Sequence, residues 1–173
     1  ARERELHVAE KKDSTGVCFI GERNFKEFLQ QFLPSKKGDI VTQSGEVVGS
    51  HDGLMYYTLG QRRGLGIGGY GDGRSFFVVD KDLENNRLIV VQGDDSRLLY
   101  SKGLFGEPVH FIAQTLPKSF ECRAKFRYRQ KEQSCLVTHN NEGCYIEFKE
   151  HQRAITPGQF AVLYLGDECI GSS

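Results

Sequence analysis

The sequence predicts a mostly β protein: a small central β domain with one short helix, followed by a six-stranded antiparallel β-barrel. Three observations lead there. Short runs of β-branched and aromatic residues recur along the chain, separated by Gly, Asn, Asp and Ser clusters that favour turns. Only one stretch carries the 3.6-residue periodicity of an amphipathic helix. Six of the β-prone runs crowd into the last ~80 residues, the density of a small antiparallel barrel.

The elements follow in order. Residues 1–8 (ARERELHV) are polar and helix-compatible, and Lys11 to Gly16 is a polar loop. The helix is predicted from Asn24 to Leu33, where Phe25, Phe28, Leu29, Phe32 and Leu33 share one face. Asn24 serves as N-cap, Glu27 completes a capping-box pair, and Pro34 ends the run. Strands are predicted at Asp39–Thr42 and Glu46–Gly49 around the Ser44-Gly45 turn. A basic, glycine-rich stretch, Gly60 to Gly73, leads to a second hairpin, Phe76–Lys81 and Arg87–Gln92, around Glu84-Asn85-Asn86. A boundary is placed near 94–104. The six later strands are read at Val109–Ala113, Glu121–Gln130, Ser134–His139, Cys144–Lys149, Gln159–Leu165 and Glu168–Gly171.

Composition excludes several classes. Hydrophobic residues make up 38% and charged residues 27% of 173, which places the chain among folded globular proteins. No apolar run reaches the ~20 residues of a membrane helix, and the charged start carries no secretion signal. No membrane partner is expected, and the expected location is cytoplasmic. The chain lacks an initiator Met, which suggests a piece of something larger. Lys+Arg and Asp+Glu are both 23, so a nucleic-acid site must arise from local clustering of charge. Five cysteines (18, 122, 135, 144 and 169) form no C-x-x-C pair, and five scattered histidines show no ligand spacing. No metal site is expected.

Three segments could carry chemistry. In the run Cys122 to Lys131, Arg123, Lys125, Arg127, Arg129 and Lys131 alternate with Cys122, Ala124, Phe126, Tyr128 and Gln130. On a regular strand the five cations share one face over about 30 Å. An RNA backbone would suit them, and so would a solvated edge strand guarded against aggregation; the pattern does not choose. The Tyr56 to Gly69 stretch joins aromatics and two arginines to approachable glycine backbone, but it has neither a Walker A signature nor a dinucleotide fingerprint, and composition alone favours a surface loop. Cys18 follows a polar turn near Lys11 and Lys12, which favour a thiolate. Taken by itself, it reads more readily as a small buried residue among Val17, Phe19 and Ile20.

Taken together in order, KKDSTGVCFIGERNFKEFL (11–29), GLMYYTLGQRRGLGIGG (53–69), VVDKD (78–82), FRYRQ (126–130) and ITPGQFAVLYLGDECIG (155–171) resemble the tRNA-specific 2-thiouridylases, in their bacterial form, over nearly the whole chain. The resemblance implies an enzyme, a tRNA-uridine 2-sulfurtransferase. It would modify the wobble uridine of tRNAs for Lys, Glu and Gln. ATP adenylates the uridine C2 oxygen, and a cysteine persulfide delivers sulfur to C2. The persulfide cysteine matches Cys18, loaded by a sulfur-relay protein or a cysteine desulfurase; a second cysteine elsewhere would act in sulfur release or a transient disulfide bond. The family's tRNA contacts fall on Arg127, Tyr128 and Gln159. On a regular strand Tyr128 would point away from Arg127, so a bulge or strand end is needed.

The resemblance also implies domains. Residues 1–21 would be the end of an ATP-pyrophosphatase domain, 22–93 the central β domain, and 94–173 a tRNA-binding β-barrel like the second domain of translation elongation factors. No SGG-x-DS pyrophosphate loop is present, so ATP is expected on a missing N-terminal domain, no cofactor on this chain, and no activity from the fragment alone. Two other readings stand beside this one: a non-catalytic RNA-binding β-barrel module with a structural Cys18, and a free-standing thiol sulfurtransferase, for which no base near Cys18 can be picked out.

Overall fold

A computed structural model describes residues 5, 7, 10, 25–94, 96–112, 116–127 and 130–173. The chain divides into two compact units, residues 1–35 and 36–173. In the first, helix α1 spans Phe25–Gln30, and hydrogen-bonded turns carry the chain on to Leu33. The Phe28 and Phe32 rings meet in a tilted contact with centroids 5.1 Å apart, the i, i+4 contact that the apolar spacing provides.

The second unit contains two sheets. The first has four strands: β1 (Gly38–Thr42), β2 (Val47–His51), β3 (Phe76–Asp82) and β4 (Arg87–Gln92), in the order β2-β1-β4-β3. Both predicted hairpins are present as antiparallel pairs. Gly45, at φ 87°, closes the first; Asn86, at φ 53°, closes the second, and both residue types tolerate left-handed backbone. In the second turn Asp82 accepts hydrogen bonds from the Asn85 backbone N–H and side-chain amide, which hold its carboxyl below the usual range. A parallel pairing of β1 with β4 joins the hairpins, with Ile40 opposite Leu88 and Thr42 opposite Val90. Ile40, Val48, Val78, Leu88 and Val90 form the core on one face, closed by Leu54, Tyr57 and Leu65 from the long β2–β3 connection.

Buried His51 ties the two hairpins together. Its Nδ1 accepts from the Gly53 backbone N–H at 3.1 Å, so Nε2 carries the proton donated to the Asn86 carbonyl, also at 3.1 Å.

The second sheet is antiparallel and has seven strands, not six: β5 (Tyr100–Gly106), β6 (His110–Phe111), β7 (Ser119–Lys125), β8 (Gln133–His139), β9 (Cys144–Arg153), β10 (Val162–Leu165) and β11 (Glu168–Ser172). Their order is β5-β9-β8-β7-β10-β11-β6, a curved half-barrel with β5 and β6 at its edges. The additional strand, β5, lies partly in the segment read as a boundary. Two glycines and a register shift between Ser101 and Gly103 break its alternation, yet it pairs with β9 along its length. Inside the curve, Cys122, Ala124 and Phe126 meet Cys135, Val137, Cys144, Ile146, Phe148, Leu163 and Ile170. The even-numbered residues from 122 to 126 do face inward, as alternation requires.

Candidate nucleic-acid interface

The predicted cationic strand is shorter than its sequence pattern. β7 ends at Lys125, and the chain bends at Phe126 and Arg127. Tyr128 and Arg129 lie outside the described residues, as does Cys18. Nor are the two cations on β7 left bare for a polyanion. Arg123 pairs with Glu132 at 2.8 Å, lies 3.7 Å from Asp167 and donates to the Gly166 carbonyl. Lys125 pairs with the same Glu132 at 3.3 Å and lies over the Tyr164 ring. On the same outer face Lys102 pairs with Glu147 at 2.9 Å, and that hydrogen bond raises its pKa. Arg123 and Lys125 therefore do not form a bare cationic ledge. Acidic residues from the β7–β8 and β10–β11 connections neutralise these two cations, and strand periodicity within one segment carries no information about those acids.

Arg127 has a different setting. Its Nη2 donates to the Ala154 carbonyl at 2.6 Å and to Thr156 Oγ1 at 3.1 Å. Ala154 follows β9 in a left-handed conformation, at φ 52°. Thr156-Pro157-Gly158-Gln159 then forms the tight turn that Pro followed by Gly favours, with Gly158 at φ 79°. Gln159 sits exposed after this turn. The fold thus brings Arg127 and Gln159, 32 positions apart in sequence, to the two ends of one short segment. A glutamine chain supports it from beneath. Gln130 accepts from the Phe126 N–H and donates to buried Gln152, and Gln152 donates to Gln133.

Beside this segment lies a cleft of about 620 Å³ lined by Phe105, Phe126, Thr156, Gln159 and Phe160 among others. Phe105 is 85% exposed and Phe160 74% exposed. Phe105 rests on Tyr145 with centroids 4.7 Å apart. Aromatic faces next to amide and guanidinium donors are the chemistry by which proteins hold unstacked bases. Sequence reading did not select these phenylalanines; only the strand and turn that expose them reveal the arrangement.

Sulfur chemistry has one further candidate location. Cys122 and Cys135 are directly opposed across β7 and β8, with sulfurs 3.6 Å apart, in the core. The hydrogen bond between them lowers the Cys122 thiol pKa and raises that of Cys135, to which burial adds. Among the described residues no His/Cys/Asp/Glu cluster could hold a metal ion, and no helix is long and apolar enough to cross a membrane.

Comparison with known proteins bears on the whole chain. Residues 26–92 match the tRNA methyl transferase PRC-barrel domain, and residues 101–173 the aminomethyltransferase β-barrel domain. The tRNA-specific 2-thiouridylase MnmA of Shouchella clausii is 58% identical over 173 residues, covering 99% of this chain. MnmA 1 of Geobacillus kaustophilus is 54% identical over 175 residues and 100% of the chain, and MnmA of Alkaliphilus oremlandii 55% identical over 170 residues and 97%. The chain belongs to the tRNA-specific 2-thiouridylase family. It spans about half the length of these curated relatives, 47% in each case, and corresponds to a segment of a 2-thiouridylase. Within that 2-thiouridylase segment, Arg127 lies at the bend after β7 and Gln159 beside the turn before β10, not inside the strands expected at Glu121–Gln130 and Gln159–Leu165.

Proposed function

We propose that this chain is the sulfur-delivering and tRNA-holding part of an enzyme that 2-thiolates the wobble uridine of tRNAs for Lys, Glu and Gln. The single observation that carries the proposal is the match of the entire chain, at 54–58% identity, to proteins named tRNA-specific 2-thiouridylases. In this reading Cys18 carries the transferable sulfur as a persulfide, loaded by a sulfur-relay protein or cysteine desulfurase. Arg127, Tyr128 and Gln159 hold the tRNA. The setting of Arg127 supports its role: two of its five donors brace the Ala154–Thr156 segment, and the rest of the guanidinium is available for a phosphate.

Residues 1–21 then belong with the catalytic domain, 22–93 form a central domain, and 94–173 form a tRNA-binding barrel built like the second domain of elongation factors. The enzyme works in the cytoplasm. The glycine-rich loop runs into a strand rather than a helix N-terminus, and Leu65 and Ile67 turn into the core beneath it. ATP is assigned to the part of the relatives' length that this chain does not span, and this chain alone is inactive.

The test is single-turnover thiolation of tRNA by the full-length enzyme, wild type against Cys18→Ser, with tRNA binding measured in parallel. Loss of 2-thiouridine with binding intact supports the reading. Normal thiolation would make Cys18 structural and leave the chain a non-catalytic RNA-binding module.

A further inference from the structure

We propose that Arg62 and Arg63, on the turn that follows β2, form a second RNA-backbone site that extends the Arg127 face across both sheets. The idea rests on the tRNA-binding reading above and names a new part of that surface.

The loop is not a loose one. The Gly60 N–H donates to the Val78 carbonyl at 2.7 Å, and the Val78 N–H donates to the Gln61 carbonyl at 3.0 Å, so the turn is bound to β3. The Gln61 side chain accepts from the Thr58 N–H at 3.0 Å and donates to the Arg63 carbonyl at 2.9 Å. Leu65 is buried and Ile67 packs against the same core. Fixed at both ends, the turn displays Arg62 and Arg63 to solvent. Neither makes an ion pair among the described residues, in contrast to Arg74, Lys102, Arg123 and Lys125.

The surroundings suit a phosphodiester. A cleft of about 300 Å³ is lined by Arg62, Arg63, Gly64, Gly66 and Ser75, among others, with no acidic residue in its wall. Gly64 and Gly66 have positive φ, and little or nothing stands where their side chains would be, so a phosphate oxygen can approach the backbone closely.

Position connects the two sites. A Cβ on Gly60 would meet the Ala154 Cβ at 2.5 Å, so this turn packs directly on the residue whose carbonyl Arg127 holds. The backbone of the turn that carries Arg62 and Arg63 and the segment held by Arg127 therefore meet at one junction. A folded RNA backbone passing over it could be held from both sheets at once.

The experiment measures tRNA affinity of the full-length enzyme as a function of salt. The variants are Arg62→Gln/Arg63→Gln, the charge-retaining Arg62→Lys/Arg63→Lys, and a charge-matched control, Lys36→Gln/Lys37→Gln. Loss of two phosphate contacts should flatten the log–log salt slope by about 1.4–1.8 in the glutamine pair. The lysine pair and the control should keep the wild-type slope. An unchanged slope in the glutamine pair overturns the inference while leaving the functional reading intact. So does an equal loss in the control, which would reflect net charge alone, or a loss in the lysine pair, which would reflect loop folding. If the glutamine pair instead weakens ATP binding with its tRNA slope intact, the loop serves a nucleotide and the proposal falls. A wild-type enzyme without salt-dependent tRNA binding would overturn both readings together.

Discussion

The contact between Gly60 and Ala154 predicts a specific stability defect. Gly60 has φ 78°, and Gly60→Ala would place a methyl carbon 2.5 Å from that of Ala154. Left-handed backbone costs an L-residue about 1–2 kcal/mol. Overpacking a tight contact adds roughly 1–3 kcal/mol. A sum near 3 kcal/mol would lower Tm by about 6–12 °C in a chain of this size. Gly45→Ala supplies the reference, because Gly45 has φ 87° but nothing within 4 Å of the added carbon. It should show the backbone cost alone, about 1–2 kcal/mol. Ala154→Gly removes the opposing methyl and relieves a φ of 52°, so it should be near neutral alone and rescue Gly60→Ala. Urea unfolding of the four members of the cycle reads the coupling, expected at about 1–3 kcal/mol. If Gly60→Ala costs no more than Gly45→Ala, or the two changes add to within ~0.5 kcal/mol, the argument for a tight junction is wrong.

Three further predictions can be tested together. His51→Ala should cost about 3 kcal/mol, because it opens a cavity and strands the Gly53 N–H and the Asn86 carbonyl; a urea midpoint within error of wild type at unchanged m would refute this. Diamide, which takes up two protons and two electrons, should join Cys122 to Cys135, giving a two-hydrogen mass loss that maps to these peptides and vanishes in Cys122→Ser; a linkage among other cysteines would contradict the opposed register. Arg127→Ala should both lower Tm, through loss of its bonds to Ala154 and Thr156, and reduce the tRNA salt slope by about one contact; an unchanged slope would leave Arg127 a purely structural clamp.

Local chemistry made part of this legible. Turn residues marked both hairpins of the first sheet, and two-residue alternation turned Cys122, Ala124 and Phe126 inward, because both signals act within a few residues of chain. The segment from Arg127 to Gln159 could be picked out through ordered motifs. Its geometry could not, because it depends on Ala154, which neither motif contains. β5 was hidden by Gly103, Gly106 and a register shift, and it is a strand because β9 offers it a partner.

What the sequence by itself determined, then, is the mostly β character, the positions of most strands and the family. Tertiary structure decided which strands pair and which charges remain free. It set β1 beside β4, supplied Glu132 to Arg123 and Lys125, and left Arg62 and Arg63 without a carboxylate among the described residues. It also pressed Gly60 onto Ala154. The physical reason is range: propensity and alternation are properties of neighbours along the chain, whereas charge compensation and close packing belong to residues that meet only after folding.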